Sequence, residues 1–126
     1  MKAFWTTIAA TAVLLVIWSV FISYADVDVD KMTSDIDAAT VAIEADDWVK
    51  SRDALADVAQ RWHDRRLTFS LFFDAVSIGD VEASLARAQA YCRSEEKGSA
   101  LAELAYLSHL LLFLYENELI TLENIL

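Results

Sequence analysis

The chain reads as an all-α protein, with an N-terminal transmembrane helix continuing into a small four-helix bundle of two hairpins. Three observations predict this. Residues 3–25, AFWTTIAATAVLLVIWSVFISYA, hold no charge, Pro or Gly over 23 positions. The 126 residues include no Pro and only two Gly, and Ala and Leu are abundant, a helix-forming composition. Beyond residue 25, apolar side chains recur every three or four positions, between short polar breaks.

As a helix, 23 residues at 1.5 Å each would measure about 34 Å, enough for a hydrocarbon core of about 30 Å. Lys2 precedes the segment, and Asp26, Asp28 and Asp30 follow it. Positive charge stays on the cytoplasmic side. Residues 1–25 are therefore expected to anchor the chain in the cell membrane by a single pass, with the N-terminus cytoplasmic and 26–126 extracytoplasmic. The alternative is a signal peptide, since Ser23-Tyr24-Ala25 offers small residues for cleavage and Met1-Lys2 a minimal basic start. An apolar run past 20 residues exceeds the usual signal core of about 7–15. No Cys near its end offers a lipid anchor. In its cytoplasmic half, Ala3, Thr7 and Thr11 fall four apart, with Thr6 and Ala10 beside them. Such a stripe suits a membrane-helix contact, with a second copy or another membrane protein equally allowed. It equally suits a plain anchor whose threonines bond their own backbone.

No breaker follows the span, so one long helix is expected over 3–44, with Val29, Met32, Ile36, Ala39 and Ile43 on one face. The run DVDVD at 26–30 lacks the Gly and distal Glu of a calcium loop and reads as a solvated acidic flank. Asp46 and Asp47 then cap a second helix from Trp48 to about Arg66, whose stripe includes Leu55, Val58 and Trp62. Trp48 and Trp62 are expected to pack on the third and fourth helices. The apolar run LTFSLFFDAV, 67–76, either continues the second helix or turns a corner. Ser77-Ile78-Gly79-Asp80 is the expected break. A third helix is expected over 80–94 and a fourth over 99–117, the latter a core helix whose apolar stretch 104–115 is too short to span. The tail Leu119–Leu126 is expected to dock on the bundle. Ala54–Ala59 weakly echoes Ala100–Ala105, as two stacked hairpins would.

The formal net charge is −10, and setting Lys2 aside leaves nine Lys and Arg against 20 Asp and Glu, or −11. That excludes nucleic acid as a partner on electrostatic grounds. Cys92 is the only cysteine, so neither an intrachain disulfide nor a cysteine zinc site can form. No H-x3-H, H-E-x-x-H or G-x-S-x-G occurs, and Ser108 and His109 are helix neighbours that face apart. No catalytic residue, metal or cofactor is expected. The basic cluster Arg61, His63, Arg65 and Arg66 offers an anion or lipid-headgroup site. The plainer role is pairing with nearby carboxylates. Glu103 is expected to pair with Arg87, and His109 to lie in the core.

Several landmarks carry a resemblance: Ala45-Asp46-Asp47-Trp48, Trp62 fourteen residues on, Ser84-Leu85-Ala86-Arg87, Ser99–Leu104 and the closing Leu122–Leu126. In this order, behind an apolar N-terminus, the chain resembles a family of small, single-anchor bacterial membrane proteins classed as a domain of unknown function. The resemblance implies location and shape rather than chemistry. It also implies an Asp-His-x-Glu stretch before the third helix and a Pro before the tail. This chain has Asp74-Ala75-Val76-Ser77 and Tyr115-Glu116-Asn117 there, so a site built on that His and Glu is absent. The expected role is an accessory or interaction module for another membrane or envelope protein. The alternative is a small-ligand or lipid-headgroup binder.

Overall fold

In the computed structural model, the described residues form four α-helices and no strand. Residues 1–125 are described, with the side chains of all but 21–27, 72 and 117–125. Helix α1 runs unbroken over Lys2–Glu44, α2 over Trp48–Phe72, α3 over Ala75–Arg93 and α4 over Lys97–Ile125. Each packs on two neighbours in the ring α1–α2–α3–α4 and back to α1. Links of two or three residues make consecutive helices antiparallel, an up-down-up-down bundle.

The core follows from residue spacing. Val29, Met32, Ile36, Ala39 and Ile43 are buried on α1, and Ser51, Leu55, Val58, Trp62 and Phe69 on α2. Ile78, Val81, Leu85, Ala88 and Cys92 face them from α3, with Ala100, Leu104, Leu107, Leu111 and Leu114 from α4. Steps alternating between three and four residues form the seam along which near-parallel helices interlock. By length and composition Lys97–Glu116 could also cross a membrane, but its inward stripe belongs to this core.

The corner between α2 and α3 differs from the sequence reading. α2 continues past Arg66 to Phe72, and α3 begins at Ala75 rather than 80. Ser77–Asp80 is helical, and the break is at Phe73 and Asp74, both extended. Asp74 causes it: its carboxylate accepts from the Ser77 backbone N–H at 2.7 Å and from Ser77 Oγ at 2.9 Å, capping α3. The rings of Trp62 and Phe69 on α2 and of Phe73 at its end pack in succession, tilted, at centroid distances of 5.3 and 5.5 Å, tying the corner to the core.

Other expectations need correction. α2 lies diagonal to α4, so the tryptophans do not pack as foreseen: Trp62 meets α3, donating from Nε1 to Glu82 Oε1 at 3.3 Å, and Trp48 is half-buried. His109 is exposed and stacks on Phe113, because Leu107 and Leu111 turn inward and leave it facing away. Asp28 is buried rather than solvated, and the DVDVD run is helical. α4 starts at Lys97 and its backbone continues to Ile125. The docking of Leu119–Leu126 concerns side chains outside the described residues.

The two hairpins are closed by the same turn. Asp46 and Glu95 both adopt left-handed backbone, φ 58° and 55°. In the first, Asp46 N–H donates to Ile43 O and Asp47 N–H to Ala42 O; in the second, Glu95 N–H donates to Cys92 O and Glu96 N–H to Tyr91 O. Both are Schellman closures with an acid where glycine is usual. Lys97 Nζ ties the turns together, reaching Glu44 O and Asp46 Oδ1 at 3.3 Å each. The sequence echo extends to burial only in part: Val58 and Leu104 are both wholly buried, but Leu55 is wholly buried and Leu101 only half.

Two stability predictions follow from these contacts, both read by urea denaturation of the full chain in mild detergent. Trp62→Ala should cost about 3–5 kcal/mol, and Trp48→Ala on the order of 1–2 kcal/mol. Glu95→Gly should raise the midpoint by relieving left-handed strain of about 1 kcal/mol, and should do so more than Asp46→Gly, because aspartate tolerates this region better.

Candidate functional site

Three surfaces carry functional potential, and the first is the exposed apolar half of α1. Lys2–Val20 is long and apolar enough to cross a membrane, and none of it is buried against the bundle. Within it the Thr6, Thr7 and Thr11 hydroxyls donate to the carbonyls of Lys2, Ala3 and Thr7, each at 2.8 Å. The face bearing Ala3, Thr7, Ala10 and Thr11 is thus smooth, its hydroxyls already satisfied along the helix.

The second is the basic cluster on α2, which the fold splits. Arg61 and Arg65, one turn apart, reach α1: Arg61 Nε donates to Asp35 Oδ2 at 3.2 Å, and Arg65 Nε lies 2.8 Å from Asp28 Oδ2. Arg66 turns the other way and pairs with Glu82 of α3. His63 is exposed between them. Contiguous in sequence, the guanidiniums do not converge in space, and each has a carboxylate partner. An anion would have to displace one of those carboxylates. The Arg87–Glu103 pair forms as expected, with Nη2 3.0 Å and Nε 3.1 Å from Oε1.

These pairs give the bundle a defined acid response. The Arg66 hydrogen bond holds the Glu82 carboxyl below its ordinary value of 4.5, and the Ser77 backbone hydrogen bond holds Asp74 below 3.8. Groups whose pKa falls on folding contribute stability above their unfolded values, and that contribution is lost as pH falls through the folded ones. The melting temperature should therefore drop on acidification from about pH 5 downward. Glu82→Gln should flatten that slope while lowering the neutral-pH value.

The third surface is a groove of about 420 Å³ between α1 and α4. Ile36, Leu101, Leu104 and Ala105 floor it, and Asp37 and Glu44 stand on its rim. The sequence held one signal for it: Asp37, Thr40 and Glu44 follow three-four steps beside the core stripe. A smaller cavity of about 160 Å³ between α2 and α3 is lined by Arg52, Leu55, Gln89, Cys92 and Arg93. Burial raises the Cys92 thiol pKa, opposed by a contact from Ser51, which makes it a core residue rather than a nucleophile. Among the described residues, no three of His, Cys, Asp and Glu converge as metal ligands.

The family model that matches this chain is described as a domain of unknown function (DUF4363), and it covers residues 17–125. No curated protein and no solved structure matches. The match takes in the last nine residues of the apolar segment, the rest of α1 after it, and the whole of α2, α3 and α4, and by it the chain belongs to the DUF4363 family.

Proposed function

We propose that the protein is a single-pass membrane-anchored interaction module, an accessory to another membrane or envelope protein. The carrying observation is the continuity of α1, whose exposed apolar half and core-forming half share one helix without a hinge. An apolar helix segment left unburied by its own chain needs lipid around it. Lys2 before the span and Asp26, Asp28 and Asp30 after it favour a cytoplasmic N-terminus and an extracytoplasmic bundle.

For the partner, the α1–α4 groove is the best-supported seat. An apolar floor beneath Asp37 and Glu44, on a chain of net charge −10, suits an amphipathic segment with basic residues along one edge. A small-anion or headgroup role for Arg61, His63, Arg65 and Arg66 ranks second, since the three arginines are already ion-paired.

Two measurements test this. A tag after Leu126 should be cleaved by protease added to intact protoplasts; a protected tag would overturn the orientation. A photo-crosslinking residue at Ala105 should give one discrete adduct in cells, lost when Asp37→Lys and Glu44→Lys are combined. No adduct, or one unchanged by the charge reversal, would remove the groove from consideration.

A further inference from the structure

We propose that the corner between α2 and α3 rests on the outer leaflet of the same membrane that α1 crosses, with Leu67, Leu71 and Val76 entering the boundary between headgroups and acyl chains. The inference builds on the reading of α1 as a span and assigns a role to the run LTFSLFFDAV, which the core only partly absorbs.

Two ion pairs fix the level of the corner. Arg61 lies opposite Asp35 and Arg65 opposite Asp28, with α2 running back down α1. Phe72 is one heptad beyond Arg65, about 10 Å further along the helix. That brings it level with roughly residues 21–24 of α1, inside the uncharged segment 3–25. If about 20 residues cross the hydrocarbon from Ala3, its outer edge falls near residue 23. The end of α2 therefore meets the membrane surface without any adjustment of the bundle.

The surface placed there is apolar. Leu67, Leu71 and Val76 are 78%, 75% and 74% exposed, the most exposed large apolar side chains outside Met1–Val20 among the described residues. Leu67 and Leu71 are one turn apart on one face of α2. Phe69 and Phe73 point the opposite way into the core, so the exposed face is held on a packed element. Charge limits the depth. Between Arg66 and Asp80 the only ionisable group is Asp74, whose oxygens are held by Ser77. An ionised carboxylate at the tip keeps the corner in the interface and out of the hydrocarbon. Arg65 and Arg66, each paired, lie just above at headgroup height.

The test uses the full chain in phosphatidylcholine nanodiscs, spin-labelled through Leu71→Cys or Val76→Cys, with Val49→Cys and Val13→Cys as references. Native Cys92 is wholly buried and stays unlabelled in the folded protein. Collisions with oxygen, which partitions into lipid, are compared with collisions with a water-soluble nickel chelate. The expected result is oxygen exceeding nickel at 71 and 76, nickel exceeding oxygen at 49, and 13 deepest of all. Labels at 71 and 76 as open to nickel as the one at 49, with 13 still deep, would overturn the inference and leave the span intact. A label at 13 open to nickel would overturn the span itself. Shielding of 71 and 76 from both reagents would mean that protein covers the corner, which also overturns the inference. Leu67→Glu combined with Leu71→Glu alters only exposed positions, so it should keep the melting temperature in detergent while a label at Val76→Cys shifts toward nickel. No shift would overturn the inference.

Discussion

The contact between Arg65 and Asp28 is the one on which the arrangement of this chain depends. Asp28 lies where α1 passes from apolar segment to bundle, and it is 8% exposed. A carboxylate this enclosed is costly unless paired, and Arg65 supplies its partner across the α1–α2 interface. Such pairs add little net stability compared with a well-packed apolar pair, but a wrong register would leave a buried charge unmatched. The pair therefore selects how far α2 descends along α1, and the Arg61–Asp35 pair repeats the selection, one turn away on α2 and two on α1. The height of the corner, and with it the placement of Leu67 and Leu71, follows from that choice.

What the sequence could and could not convey divides along physical lines. The length of α1 was readable because nothing in 2–44 interrupts a helix, and the core stripes were readable because their spacing is local. The α2–α3 corner was not. Ser-Ile-Gly-Asp looks like a break, yet Gly79 is an exposed helical residue, and the real break depends on Asp74 capping through Ser77. His109 misled for a related reason: an apolar neighbourhood in sequence includes residues on both faces of a helix. The arginines required tertiary placement, because adjacent positions such as Arg65 and Arg66 point to different helices. The α1–α4 groove is a property of two distant segments and left only a faint trace in either.

The two ends of the bundle differ in how they are held. At the end that carries the two acidic turns, the small side chains of Ala39, Ser51, Ala88, Cys92 and Ala100 are wholly buried among Ile43, Leu55 and Leu104, and Lys97 links the turns. Small side chains allow the helices to approach closely there. Toward the span the filling is aromatic, with Trp62, Phe69 and Phe73 in sequence down α2. The end that carries the acidic turns and the end filled by rings thus differ in charge and in packing, and on the proposed reading the second is the one nearer lipid.

The absence of a hinge in α1 also has an azimuthal consequence. At 3.6 residues per turn, positions 18 apart differ by about five turns and positions 36 apart by about ten, so they share a compass bearing around the axis. Thr11 then stands beneath Val29, Thr7 beneath Ile43 and Ala3 beneath Ala39, each of the upper three a core residue. The smooth strip of the span and the packing face of the bundle share one meridian. A second membrane helix seated on that strip would rise directly under the bundle's own footprint, not beside it. On the proposed reading it would share that shadow with the α2–α3 corner, so that docking within the bilayer and seating of the bundle would be one steric problem.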